Sequence, residues 1–286
     1  MKRKLRNGIS VLLATAFVIS GALVLRQLHD YRAAEKTYDA AQEIAVTSVP
    51  EPAPEMIPEP EPVVEPDLTE EEPVPMVPEP EEPVQEPLEE NARFLLELDL
   101  DALRQTNTRV LGWIHIPDSP IDYPLLKVQN NNEYLRRAWD GTANQAGCIF
   151  LECRNSHDFS DFNTLIYGHY MRNGKMFGSL HRYQEQEYRD THPHIYIVTD
   201  EAVRRYEVFA SYEADVVSDT YRLYFEDDAR KQTVLEDYLD RSVLETGLVP
   251  TVTDRILTLS TCTGTGTYDT RWVVQAVLTG EFAREG

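Results

Sequence analysis

The stretch RILTLSTC, residues 255–262, is followed by TGTGTYDT and then by RWVVQAVLTGEF, residues 271–282. Both outer runs are rich in β-branched and apolar residues and are bounded by turn residues, which predicts two β-strands. If the strands pair as a hairpin, the thiol of Cys262 and the guanidinium of Arg271 lie at the same end. A thiol that ends a strand beside a glycine-rich loop is exposed enough to react with a substrate.

Earlier parts of the chain contain six runs of the same character, so the sequence predicts about eight strands. The six runs cover residues 112–116, 121–128, 148–153, 164–169, 194–199 and 203–216. Helical patterns occur at 94–106, 176–190 and 226–242, with a short piece near residues 133–138. A mostly-β domain with separate helices predicts a closed β-barrel that carries peripheral helices.

The charge of the chain is concentrated in one tract. The 286 residues include 27 basic and 49 acidic ones, a net charge of −22, and residues 51–90 hold 15 of the acidic residues, no basic residue and 12 of the 18 prolines. Such a tract cannot form a core, so residues 50–90 are predicted to be a disordered linker and residues 91–286 one folded domain. Extended at about 3.1 Å per residue, the linker could hold the domain on the order of 120 Å from a membrane, for example within a cell wall.

The composition also excludes several classes of protein. A nucleic-acid binder is disfavoured, because neutralising phosphates needs a basic surface that this chain lacks. Three cysteines in a chain of this length rule out a disulfide scaffold. No spaced Cys/His set resembles a zinc site and no acidic loop suggests calcium, so we expect no metal and no cofactor.

The N-terminus predicts where the protein works. Residues 1–8 are basic, and the following 17 residues, 9–25, carry no charge and reach about 25 Å as a helix, which predicts a transmembrane anchor. A cleaved signal peptide is the alternative interpretation. The positive-inside rule keeps residues 1–8 cytoplasmic and places everything after residue 25 outside the cell membrane. Residues 26–49, rich in Ala and Glu, are predicted to extend the helix as a polar stalk.

Three residues of types suited to acyl transfer lie at the ends of predicted strands. His169 ends the run 164–169, Cys262 ends the run 255–262, and Arg271 begins the last run. An imidazole can hold a thiolate–imidazolium pair that attacks a carbonyl, and a fixed arginine can stabilise the resulting oxyanion. A buried structural cysteine, an ordinary histidine and an ion-paired surface arginine are the competing interpretations.

Two blocks of this sequence are similar to those of a known family. TLSTC, residues 258–262, with Arg271 at the start of the next strand, and NTLIYGHYMRNGKMFGSL, residues 163–180, look like the two signature blocks of the sortases. The helix predicted at 226–242 is similar to the insertion that marks class B sortases. The resemblance implies a closed eight-stranded sortase-type β-barrel. It also implies a cysteine transpeptidase displayed outside Gram-positive bacteria, which cleaves a sorting motif near the C-terminus of secreted proteins.

The same resemblance implies roles for individual residues. Cys262 would attack the scissile carbonyl and form a thioester, His169 would protonate the leaving amine and deprotonate the incoming one, and Arg271 would orient the substrate and stabilise the oxyanion. Four further residues align with the class B substrate groove, namely Asn131, Leu135, Tyr221 and Ser260. Cys148 and Cys153 stand where the family more often has Ser and Tyr or Phe, and they are predicted to be inert packing residues.

Three alternatives stay open at this point. The acceptor amine is expected to belong to peptidoglycan, but a pilin-polymerising sortase would use the same chemistry with a pilin amine. A cell-wall L,D-transpeptidase also uses an extracellular Cys/His pair, although its cysteine block has a Ser-x-Gly-Cys character that STCT lacks. The third alternative is a non-catalytic surface module, which requires Cys262 to be buried and unreactive.

Overall fold

In the computed structural model, the described residues are 2–47, 87–262 and 269–284. Within these ranges side chains are described from Leu13 onward, apart from those of Ala14, Gln27, Asp30, Thr47 and Cys262. Most of the tract predicted to be a disordered linker, residues 50–86, therefore lies outside the described residues, as does the glycine-rich segment 263–268.

Eight strands form one closed barrel, as the sequence predicts. They are β1 (Val110–His115), β2 (Asp122–Leu126), β3 (Ile149–Leu151), β4 (Asn163–Tyr167), β5 (His194–Val198), β6 (Ala202–Asp215), β7 (Ile256–Cys262) and β8 (Thr270–Ala283). Their order around the barrel is β1-β2-β3-β4-β7-β8-β6-β5, and β5 pairs with β1 to close it. Closure satisfies the backbone groups that an open sheet would leave exposed at its edges.

Helices surround the barrel, and some differ from the predicted ones. The α-helices are α1 (Lys2–Thr47), α2 (Leu100–Thr106), α3 (Gln186–Thr191) and α4 (Asp228–Arg241), and short 3-10 helices cover Glu90–Glu97, Gly178–Gln184 and Asp219–Tyr221. The helix predicted at 94–106 is split because Leu98 is extended and the Asp99 carboxylate accepts from the Ala102 N–H, which starts a new helix. The pattern at 176–190 is divided in a similar way, and residues 133–138 form turns instead of a helix.

The pleat of β7 divides the apolar residues between two cores. Leu257 and Leu259 belong to the core inside the barrel. Ile256, on the opposite face, packs in a second core with Leu235 and Tyr238 of α4. Successive side chains of a strand point to opposite faces, so a strand covered on both sides is apolar on both sides. Helix α4 therefore covers the outer face of the strands that lead to Cys262.

The second half of α1, which falls within the polar stalk predicted for residues 26–49, is packed against the barrel. Ala34, Tyr38, Ala41 and Ala45 are buried in the barrel core cluster. These positions are spaced three or four residues apart and so lie on one face of the helix. The Ala- and Glu-rich composition does not predict this buried face, because alanine favours a helix whether it is buried or exposed.

The last residues of the predicted linker also belong to the folded domain. Leu88 is buried, and the Glu89 carboxylate accepts a hydrogen bond from the Tyr196 hydroxyl, lies 2.9 Å from Nδ1 of His194 and forms an ion pair with Arg205. The folded domain therefore includes residues 87–90, which the composition predicts to be disordered.

The described residues do not support the predicted membrane anchor. In that part of the chain no helix is both long enough and apolar enough to cross a membrane. Residues 9–12 and residue 14 of the predicted anchor lie outside the residues whose side chains are described.

Candidate active site

Three strands bring the predicted catalytic positions to one end of the barrel. β7 and β8 are antiparallel neighbours, and Cys262 lies directly opposite Arg271. β4 and β7 are parallel, with Tyr167 beside Ser260, and the Gly168 N–H extends this pairing by donating to the Ser260 carbonyl at 3.2 Å. Cys262 lies two residues beyond Ser260 on β7, and His169 follows the Gly168 that extends the pairing of β4. The backbone therefore places Cys262 opposite Arg271 and His169 just beyond the end of the strand beside β7.

The imidazole of His169 is held by the backbone of the segment before β3. Its Nε2–H donates to the Leu135 carbonyl at 2.7 Å, which fixes the proton on this nitrogen in the neutral ring. Burial lowers the pKa of His169 below its usual value, and the hydrogen bond to Leu135 offsets this only in part. His169 is therefore largely neutral at pH 7, with Nδ1 as the ring nitrogen left for proton exchange.

Gly147 makes room for this imidazole. A Cβ at position 147 would lie 2.4 Å from Cδ2 of His169 and 2.9 Å from the Leu135 carbonyl oxygen. The residue also has a φ of +61°, in the left-handed region that glycine adopts without strain. Both the conformation and the space at this position require glycine.

Arg271 is the second residue of β8 and is half-buried, and its Nη1 donates to the Thr270 carbonyl at 2.9 Å. A guanidinium fixed in this way can donate further hydrogen bonds to an oxyanion formed at the neighbouring thiol position.

Two of the predicted groove residues contact each other. Ser260 lies two residues before Cys262 on β7, and its hydroxyl is 3.0 Å from the Tyr221 hydroxyl. Tyr221 ends the 3-10 helix Asp219–Tyr221, beside α4. Residues two apart on a strand share a face, so this pair lies on the same face of β7 as Ile256.

Asn131 and Leu135, the other predicted groove residues, lie in the loop between β2 and β3. The Asn131 side chain donates to Glu152 at 2.6 Å and accepts from the Cys153 N–H at 3.0 Å. Leu135 contributes its backbone carbonyl to His169, a role that its side-chain type could not reveal. The structure thus places Leu135 against His169, whereas Asn131 contacts Glu152 and Cys153.

Glu152 is a residue of this region that the sequence analysis missed. Its side chain is 1% exposed, and it accepts hydrogen bonds from Asn131 at 2.6 Å, Arg154 at 2.8 Å and the Tyr167 hydroxyl at 3.1 Å. Burial acts to raise the pKa of Glu152, but the Arg154 and Asn131 hydrogen bonds outweigh it and leave that pKa below its usual value. A single acidic residue inside the apolar run CIFLEC was the available signal.

Neither of the other two cysteines is suited to act as a nucleophile. Cys148 is buried, and burial raises the pKa of its thiol well above the usual value. Cys153 is half-buried beside Glu152, and its pKa is raised first by burial and then by the Glu152 charge. Since the thiolate is the reactive form, both pKa shifts disfavour these thiols as nucleophiles. Among the residues described, no group of three or more His, Cys, Asp and Glu side chains could hold a metal ion.

Comparisons with known proteins identify relatives of this chain. The Sortase domain family model matches residues 114–279. A curated relative, Sortase B of Listeria monocytogenes, is 36% identical over 185 residues, which cover 63% of this chain and 74% of the relative. Sortase B of Staphylococcus aureus is 30% identical over 162 residues, which cover 57% of this chain and 66% of the relative.

Comparison with solved structures also identifies sortase B relatives of this chain. The Staphylococcus aureus sortase B–substrate complex is 29% identical with a TM-score of 0.59, and the match covers 63% of this chain and 83% of that one. Sortase B of Bacillus anthracis in complex with AAEK1 is 27% identical with a TM-score of 0.63, and the match covers 88% of this chain and 99% of that one. The second match extends over far more of this chain than the family model does.

Proposed function

Because the chain belongs to the sortase family of cysteine transpeptidases, with sortase B relatives, we propose that it cleaves a C-terminal sorting motif of secreted proteins and transfers the acyl group to an amine of peptidoglycan. The single observation that supports this proposal is the strand register, in which Cys262 pairs with Arg271 and β4, which ends two residues before His169, runs parallel to β7. A thiol, an imidazole and a guanidinium are together the groups that acyl transfer through a thioester needs.

The reaction proceeds in two halves. Nδ1 of His169 takes the proton of the Cys262 thiol, the resulting thiolate attacks the scissile carbonyl, and Arg271 stabilises the negative charge on the tetrahedral oxygen. When this intermediate collapses, the C–N bond breaks, His169 gives its proton to the leaving amine, and a thioester to Cys262 remains. The incoming amine then attacks the thioester, His169 takes the proton of that amine, and the thiolate departs. The groove residues Asn131, Leu135, Tyr221 and Ser260 hold the sorting motif.

Solved relatives support the two substrate classes. Staphylococcus aureus sortase B has been solved in a complex with its substrate, and a sortase B has been solved in a complex with triglycine. A glycine peptide offers a primary amine of the kind that a peptidoglycan cross-bridge could present. We therefore assign a sorting-signal peptide as the acyl donor and a peptide amine as the acceptor.

The proposed location is the outer face of the cell membrane, with the N-terminus in the cytoplasm. Support comes from the sequence, in which basic residues 1–8 precede the uncharged run 9–25. In this arrangement the enzyme meets secreted proteins as they cross the membrane.

Mass spectrometry of the whole chain tests this function. The protein is incubated with a pool of sorting-motif peptides and triglycine, with Cys262→Ala and Cys148→Ala in parallel. We expect a peptide thioester on Cys262 and an amine-dependent product in the native and Cys148→Ala proteins, and neither species in Cys262→Ala. Transfer that persists in Cys262→Ala would contradict the assigned nucleophile, and the absence of any adduct with a native thiol that resists labelling would favour a binding module.

A further inference from the structure

Helix α1 contacts both loop segments that meet at His169. On one segment, the Tyr38 hydroxyl donates to the Gly147 carbonyl at 2.6 Å, and Trp139 Nε1 donates to the Thr37 carbonyl at 2.9 Å. On the other, Lys175 forms an ion pair with Glu35 at 2.5 Å. The first segment precedes β3, and the second follows His169. The helix is therefore in contact with the surroundings of the candidate acid–base group.

The contact at Gly147 leads directly to the imidazole. The Gly147 backbone is so close to His169 that a Cβ there would fall 2.4 Å from Cδ2 and 2.9 Å from Nε2 of the ring. The same Cβ would fall 2.9 Å from the Leu135 carbonyl oxygen, which is the hydrogen-bond partner of His169. A shift of the peptide at residue 147 would therefore displace the ring or open its hydrogen bond.

Tyr38 is well placed to prevent such a shift. Its side chain is 5% exposed, and its ring meets that of Tyr123 edge to face with 5.1 Å between centroids. Tyr123 in turn accepts from the Met176 N–H at 3.2 Å, in the loop after His169. Burial raises the pKa of Tyr38 well above its usual value, so its hydroxyl stays a hydrogen-bond donor.

We propose that Tyr38 of α1 is a positioning residue for the reaction, because its hydroxyl holds the Gly147 peptide against which the His169 imidazole is set. The N-terminal helix is then a working part of the catalytic domain. This inference rests on the proposed acid–base role of His169, and it adds a residue that lies more than a hundred positions away in sequence.

The first test uses the full chain with Tyr38→Phe, which keeps the ring and its contact with Tyr123 but loses the hydroxyl. We expect kcat for the selected sorting peptide and triglycine to fall about tenfold, while KM for the peptide changes less than about twofold. The NMR chemical shifts of the His169 ring nitrogens should show that the Nε2–H tautomer is less strongly preferred than in the native chain. The matched control is Tyr183→Phe, since Tyr183 is also buried and donates to a backbone carbonyl, that of His192, at 2.8 Å.

A second pair of variants tests the same link without touching α1. Gly147→Ala and Gly141→Ala both place a side chain at a positive φ, but an added Cβ meets nothing within 4 Å at Gly141. We expect only Gly147→Ala to lower kcat and to shift the His169 resonances, after both rates are corrected for the folded fraction.

The outcomes separate this inference from the proposed function. If Tyr38→Phe has the kcat and the His169 spectrum of the native chain, or if Tyr183→Phe loses as much kcat, the inference is overturned and the transpeptidase function stands. If the native chain forms no product, the proposed function fails. The His169 spectra of Tyr38→Phe and Gly147→Ala then still decide whether Tyr38 positions the ring.

Discussion

His169 illustrates how single residues are prepared for catalysis by backbone groups. The Leu135 carbonyl fixes one ring nitrogen, and Gly147 leaves the space that the ring occupies. The sequence supplies the residue type and its position after an apolar strand. It does not supply the partner, because the carbonyl of Leu135 has no side-chain signal and any residue could provide it.

The lowered pKa of His169 predicts a pH dependence. In the Cys262→Ala variant, we expect NMR to show that His169 titrates below about 6.5, the value for a free histidine, because burial disfavours the charged ring. The stabilisation contributed by this neutral imidazole is present above about pH 6.5 and is lost as the pH falls through the folded-state pKa. A His169→Gln variant should lose this part of the pH dependence of unfolding, and a titration above 6.5 would contradict the prediction.

Glu152 predicts an effect on substrate binding. We expect Glu152→Ala to raise KM for the sorting peptide by roughly tenfold, because Asn131 and Tyr167 lose the buried acceptor that orients them. Steady-state kinetics measure this change, and kcat should fall less than kcat/KM.

The matched control for that variant is Glu281→Ala. Glu281 also forms ion pairs with two arginines, Arg204 and Arg255, but it lies at the end of β8 opposite to Arg271. The Glu281→Ala variant should lower the free energy of unfolding and leave KM for the sorting peptide unchanged. Equal KM values in Glu152→Ala and the native protein would show that Glu152 does not orient the groove.

At the scale of elements, the site depends on the order of the strands. β4 is the neighbour of β7 although about ninety residues separate them, and this parallel pair ends at Tyr167 and Ser260, two residues before His169 and Cys262. The eight strands themselves were predictable, because each is a short apolar run bounded by turn residues. Their order was not, since the same runs could be paired in several ways around a barrel.

Helix α4 predicts a stability effect at this scale. Leu235 is buried in the second core against Phe209 and Val273, whereas Leu239 is only partly buried on the same helix. We expect Leu235→Ala to lower the free energy of unfolding by about 2–5 kcal/mol in a denaturant titration. Leu239→Ala should cost clearly less, and equal losses would mean that α4 does not cover this core as the structure indicates.

The whole molecule shows that the domain begins earlier than the sequence analysis predicted. The Asp99 N–H donates to the Ala45 carbonyl at 3.0 Å, so the end of α1 and the start of α2 lie together. Both flanks of the Pro/Glu-rich tract are thus on one domain.

The sequence by itself determined the eight strands and the composition of the tract, and it predicts Cys262, His169 and Arg271 as the catalytic residues. These features are readable because alternation, proline content and short motifs are properties of neighbouring residues. Only the tertiary structure decided that Glu152 is buried among three donors and that Tyr38 reaches Gly147. Those contacts join residues far apart in the chain, and they depend on how whole elements pack, which no local pattern records.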